Sequence, residues 1–255
     1  MAPHENQDGQ ERSEAEAFAA ACSQARRAAV LASVDALLGW DEQTMMPRDA
    51  AAYRAEQAAA LAAIAHRERT DPRQGDRLAR LAAGGLAGHG TPDERATIRL
   101  LAKDFSRQSR LPPRLVEELA RTRVEAQQAW VAARAVSDWS MLEPWLRKMF
   151  DLKREQAACQ EPDLDPYDAL LDEYEPGARW RAIAERFAGL RAGLVPLVRA
   201  CGAARRRPDD AVLRRAFPVE AQRRFVTQVA ERIGFDFHRG RLDTTAHPFC
   251  STMGP

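Results

Sequence analysis

With 255 residues, 45% of them hydrophobic, the chain can bury a substantial core, and a single body over residues 14–255 is expected. Lys plus Arg number 38 against 37 Asp plus Glu, so the net charge of +1 excludes a bulk pull toward nucleic acid or anionic membrane. Cys22, Cys159, Cys201 and Cys250 form no C-x-x-C pair, which argues against a zinc knuckle, a redox dithiol or a disulfide framework and leaves reduced, buried thiols as the expectation.

Residues 1–13 are polar and acidic, the reverse of a secretion signal, and read as a disordered acidic tail. Residues 14–39 then predict a helix, with Val30, Val34 and Leu37 at i, i+4, i+7 as its core-facing stripe and Leu31 and Leu38 beside them. Pro47 breaks it. A second, Ala-rich helix over 50–69 stops at Asp71-Pro72, and a third covers 74–83. Gly84-Gly85 and Gly88-His89-Gly90 predict a loop. Thr91-Pro92-Asp93-Glu94 has the pattern of a capping box with Pro at the first helical position, opening a helix over 92–109. Beyond Leu111-Pro112-Pro113 a helix over 113–136 carries Val116, Ala120, Val124 and Val131 on one stripe. Another starts within Ser140 to Glu143 and reaches about Ala158. Two more are expected over 178–203 and 218–233, the latter opened by Pro218 and closed by Gly234.

After Gly234 the texture changes. Phe235-Asp236-Phe237 alternates, and Arg241 to Phe249 holds β-branched Thr244-Thr245 without helical periodicity, which reads as the first strand of a hairpin whose partner is missing. The expected fold is all-α, a large multi-helix body with a short β stub at its C-terminus. No apolar run approaches the roughly 20 residues that span a bilayer, so a cytoplasmic protein without membrane or nucleic-acid partners is expected.

Three stretches carry a family resemblance. Leu38-Gly39-Trp40-Asp41-Glu42-Gln43-Thr44-Met45-Met46-Pro47, followed by Arg54-Ala55-Glu56-Gln57, resembles the opening signature of the carboxypeptidase Taq family of thermostable metallocarboxypeptidases. Pro166 to Gly177, with Tyr167, Asp168, Tyr174, Pro176 and Gly177, is similar to a segment before that family's middle helices. Gly234-Phe235-Asp236, Gly240-Arg241-Leu242-Asp243 and His247-Pro248-Phe249-Cys250 resemble its approach to the active site. Arg48-Asp49 departs from the family pattern, in which Pro and Gly tend to follow the Met-Pro.

The resemblance implies a helical, usually homodimeric exopeptidase that removes single residues from peptide C-termini. It also implies zinc or cobalt held by an H-E-x-x-H helix and a more distant carboxylate, the metal polarising the scissile carbonyl and activating a water. It puts His247, Pro248 and Phe249 beside the substrate groove and makes Trp40, Asp41, Thr44, Met46, Pro47, Tyr167, Asp168, Tyr174, Pro176 and Gly177 structural signature residues. No H-E-x-x-H occurs in this sequence. The metal helix is expected beyond His247-Pro248-Phe249, so the chain reads as a carboxypeptidase's N-terminal portion, without metal or catalytic residues of its own and inactive alone.

From the residues themselves, no two of His4, His66, His89, His238 and His247 are spaced i, i+4 as zinc ligands on one helix. His247 reads either as an active-site neighbour or as a loop histidine that caps backbone groups, Pro248 as a rigid turn and Phe249 as a core anchor. Trp40 reads as a core aromatic and Asp41 as a helix-terminal hydrogen-bonding group. Asp163, Asp165, Asp168, Asp172, Glu173 and Glu175 read as a solvated acidic face, Arg205-Arg206-Arg207 as a solvated loop. Two function classes remain: the front part of a peptidase that acts on peptides when completed by a C-terminal half, or a non-catalytic helical interaction module derived from that family.

Overall fold

The computed structural model describes residues 4–206 and 208–254. The chain divides into two compact units, Met1–Tyr174 with Ala246–Pro255, and Glu175–Thr245.

Among the described residues the first unit holds eight α-helices: α1 (His4–Thr44), α2 (Ala51–Arg69), α3 (Pro72–Ala83), α4 (Gly85–His89), α5 (Pro92–Ser109), α6 (Pro113–Val136), α7 (Glu143–Gln160) and α8 (Pro166–Leu171). Their ends follow from sequence chemistry. The Asp71 carboxylate accepts from Arg73 N to cap α3, and Asp165 does the same for α8 through Tyr167 N. The expected capping box is present at α5, with Thr91 Oγ1 accepting from Glu94 N at 3.3 Å and Glu94 Oε2 accepting from Thr91 N at 2.8 Å. Ser137, left-handed at φ 56°, stops α6, and Asp138 N closes the end on Ala133 O at 2.9 Å.

α2 packs along α6, with Ala55 and Ala58 meeting Val124 and Ala120; small side chains bring the two backbones close. A second cluster joins Ala21 of α1, Leu78 and Leu81 of α3 and Ile98 of α5. At Gly75 a Cβ would lie 2.5 Å from the Phe105 ring, so only glycine lets α3 seat there against α5. α7 packs on α6, and α8 packs on α7.

The structure corrects several expectations. α1 starts at His4, ten residues before the expected start, and runs to Thr44 because nothing before Pro47 breaks it. Its stripe of Val30, Val34 and Leu37 does not face the core: the three are 62%, 41% and 48% exposed. The buried positions among its described side chains are Ala21, Gln24, Ala28 and Glu42, on another face of the helix, where Ala21 packs against Leu78 and Leu81 of α3. The expected loop at 84–90 contains α4. The Glu14 carboxylate accepts from Gly85 N at 3.1 Å and Leu86 N at 3.0 Å, capping that turn from the first helix. Cys22 and Cys159 are half-buried and Cys201 and Cys250 exposed, all free, rather than buried.

The second unit holds α9 (Trp180–Ala203) and α10 (Val219–Arg232), with a 3-10 turn at Ala211–Arg214 between them. Neither helix buries a residue, and Phe187, Leu190, Leu194 and Leu197 form an exposed apolar stripe on α9. Gly234, at φ 92°, turns the chain out of α10. Arg206 and Arg205 are exposed, as expected of a solvated loop, while Arg207 lies outside the described residues.

No β-strand exists among the described residues, so the β stub is not formed. Phe235 and Phe237 do not alternate across a ladder; their rings pack edge-on at 4.8 Å. Arg239 N and Gly240 N turn back onto Asp236 O, and Arg241 pairs locally with Asp243 at 2.9 Å. Among the described residues no second extended segment pairs with Arg241–Phe249 to form a ladder.

Candidate substrate-groove segment

The three sequence stretches come to rest in three different places. At the first, Arg54 of α2 reaches the end of α1: Nη1 donates to Leu38 O at 2.6 Å and Nη2 to Asp41 Oδ2 at 2.5 Å, with the guanidinium largely out of water. Asp41 is thus a helix-terminal hydrogen-bonding group, as expected, with a charged partner 13 residues on. Thr44 Oγ1 donates to Trp40 O at 2.7 Å, and Met45 N and Met46 N both donate to Asp41 O, closing the helix ahead of exposed Pro47. Trp40 is half-buried. Glu42 is buried, and burial raises its carboxyl above the usual carboxylate range against the opposing pull of Arg123 and Arg54.

At the second stretch, Asp163, Asp165, Glu173 and Glu175 are exposed, as expected of a solvated face, but Asp168 and Asp172 are not part of it. Asp168 is buried at 8% exposure, and Asp172 pairs with Lys103 at 2.7 Å and Arg107 at 3.1 Å. Tyr167 and Tyr174 stay exposed and line an apolar groove of about 370 Å³ with Phe150, Met149 and Leu171. Pro176 and Gly177, the latter at φ 82°, stand exposed at the start of the second unit.

The third stretch belongs to the first unit from Ala246 onward. The chain bends at Ala246-His247, ahead of Pro248. Arg134 Nη1 donates to Ala246 O at 2.6 Å, and the His247 ring meets the Trp130 indole edge-on at 5.8 Å. His247 Nδ1 lies 2.9 Å from Pro248 O, so the imidazole does cap a backbone group. Phe249 is 37% exposed and is not a core anchor. Trp130 and Arg134 were not singled out from sequence. Their i, i+4 spacing on one helix was the available signal, but the carbonyl that Arg134 meets lies 112 residues away.

Among the described residues, no group of three or more His, Cys, Asp and Glu side chains is placed to hold a metal ion. The zinc or cobalt that the resemblance implies finds no ligand set among the described residues.

Residues 21–255 match the family model described as carboxypeptidase Taq (M32) metallopeptidase. The chain belongs to that family. It is 40% identical over 239 residues to thermostable carboxypeptidase 1 of Thermus thermophilus, a match that covers 90% of this chain and 47% of that protein. It is 29% identical over 218 residues to carboxypeptidase 1 of Bacillus subtilis, covering 86% of this chain and 43% of that one. Its fold superposes on the BsuCP crystal structure with a TM-score of 0.85 at 28% identity, covering 94% of this chain and 47% of the other. It superposes on the M32 carboxypeptidase of Deinococcus radiodurans R1 with a TM-score of 0.71 at 33% identity, covering 96% and 47%. The chain spans about half the length of the curated relatives it matches and corresponds to an N-terminal part of such M32 proteins.

Proposed function

We propose that this chain is the N-terminal portion of a metal-dependent carboxypeptidase that releases single residues from the C-termini of peptides. The family match over 21–255, at about half the relatives' length, supports this reading. In it, His247, Pro248 and Phe249 border the substrate groove. Trp40, Asp41, Thr44, Met46, Pro47, Tyr167, Asp168, Tyr174, Pro176 and Gly177 hold the scaffold. The catalytic zinc or cobalt is bound by residues of a C-terminal half. A homodimer working in the cytoplasm completes the proposal; no helix among the described residues is long and apolar enough to cross a membrane.

The second reading, a non-catalytic helical interaction module, draws support from the exposed apolar stripe on α9. One experiment separates the two. The purified chain is assayed alone and after co-expression with the C-terminal half of the Thermus thermophilus relative. Bound metal and release of the last residue from a peptide with a free C-terminus are compared with those from its amidated twin. Chelator-sensitive release from the free peptide by the pair, with neither metal nor release from the chain alone, is the expected result. A stable pair without hydrolysis favours the module, and stoichiometric zinc with hydrolysis from the chain alone defeats both readings.

A further inference from the structure

The segment carrying His247 has neither helix nor ladder to orient it, so side chains must do so. Two residues of α6 reach it, one helical turn apart and therefore on the same face. Arg134 spans both contacts: its Nη1 donates to Ala246 O at 2.6 Å while its guanidinium carbon lies 5.2 Å from the centroid of the Trp130 ring. A planar guanidinium can stack through its face and donate from its edge at the same time, which an ammonium cannot do equally well. Trp130 in turn meets the His247 ring at 5.8 Å with the planes 74° apart, the favoured edge-to-face geometry. His247 is also tied to the backbone of the next residue: a carbonyl only accepts, so the 2.9 Å contact with Pro248 O puts the hydrogen on Nδ1. Backbone and imidazole are thus gripped separately, Ala246 by Arg134 and the ring by Trp130.

We propose that Trp130 and Arg134 are the positioning residues of the His247-Pro248-Phe249 segment, fixing the backbone entry and the ring plane of His247 from α6. What the segment does rests on the carboxypeptidase reading; how it is held does not. In a peptidase groove this hold has kinetic weight, because a displacement of about 1 Å near the reacting atoms can cost about a hundredfold in rate.

The test has two arms. In the first, the chain is labelled with 13C-histidine and its ring resonances are compared with those of a free peptide spanning residues 241–252. The wild-type chain shows a cross-relaxation peak between His247 and Trp130 ring protons, and His247 resonances displaced from their positions in the peptide. Trp130→Leu and Arg134→Ala return those resonances to the peptide positions while the buried His66 resonances stay in place, reporting an intact fold. Arg134→Lys, which keeps a cation and a donor, retains part of the displacement. A wild-type chain with peptide-like His247 resonances and no cross-peak overturns the proposal without requiring any variant to fold. In the second arm, the same variants are assayed in the pair with the Thermus thermophilus C-terminal half. Trp130→Leu and Arg134→Ala lower kcat/KM by about a hundredfold, chiefly through kcat; unchanged kcat and KM overturn the positioning role. Absence of hydrolysis by the wild-type pair sinks the carboxypeptidase reading alone, because the resonances of the chain itself still decide what holds His247.

Discussion

Arg107 on α5 donates from Nη1 to Asp172 Oδ2 at 3.1 Å, and both side chains are almost out of water, 12% and 15% exposed. Arg107 Nη2 also donates to Gln160 Oε1 at 3.0 Å and Ala169 O at 3.3 Å, so one guanidinium joins the end of α7, the end of α8 and the acidic turn after it. Arg110 adds a bond from Nη1 to Gln160 O.

Removing this centre should therefore be costly. Arg107→Ala is expected to lower stability by about 3 kcal/mol, because it strands a desolvated carboxylate and two acceptors. Lys103, still beside Asp172, limits the loss. Urea unfolding of Arg107→Ala and of Arg107→Met with Asp172→Leu checks it: the double variant should be the more stable of the two, and the reverse order would show that the charge pair itself is a net gain.

His66 gives the chain an acid-sensitive point. Its ring is buried between α2 and the Leu111 turn, with Nδ1 unpartnered among the described residues, and burial lowers its pKa below 6.5 despite a backbone bond to Leu111, with nearby Arg69 pushing the same way. The unfolded chain thus takes up the proton first. Stability is highest above pH 6.5 and falls as the pH drops from there through the lower folded value. Urea midpoints measured from pH 7.5 to 5 should show this slope, and His66→Gln should flatten it. An equal slope in the variant would assign the loss to other groups.

Glu42 works in the opposite direction. Its folded pKa is raised above 4.5 by burial, so the stability it contributes is present below pH 4.5 and is lost as the pH rises through the folded value. Glu42→Gln should accordingly be more stable than wild type at pH 7 and close to it at pH 4. A destabilised variant at pH 7 would mean that attraction by Arg123 and Arg54 outweighs the burial penalty.

Core and surface positions of similar sequence appearance should respond differently. Leu115, fully buried at the start of α6, should cost about 3 kcal/mol on Leu115→Ala through lost burial and a residual cavity. Val34→Ala on α1 should stay within about 0.5 kcal/mol, because that side chain is already in water. Thermal unfolding of the two variants decides it, and comparable losses would show that the α1 stripe is covered in solution.

Calling α1's apolar stripe core-facing fails for the same reason that the α4 turn was missed. Val30, Val34 and Leu37 have the period of a buried face, but period says only that three side chains share a face. Which face is buried depends on where another helix can approach, and here α3 packs at Ala21. The α4 turn needed a cap, and Glu14 supplies it from 71 residues away. No local window contains that carboxylate.

What the sequence determined by itself was local and short-range: the breaks at Pro47, Asp71-Pro72 and Pro112-Pro113, the capping box at Thr91, the stop at Gly234 and the order of the longer helices. Each follows from a missing donor, a hydroxyl at the right offset or a φ angle only glycine readily adopts, and each acts within one turn. The three family stretches were legible because they too are contiguous. Tertiary structure alone decided that Asp172 meets Arg107 with little water between them, that Arg241–Phe249 forms no strand, and that Arg134 reaches the Ala246 carbonyl while Trp130 meets the His247 ring. Those outcomes depend on which distant groups arrive close enough to exchange hydrogen bonds with water excluded. That proximity is set by helix packing, not by spacing along the chain.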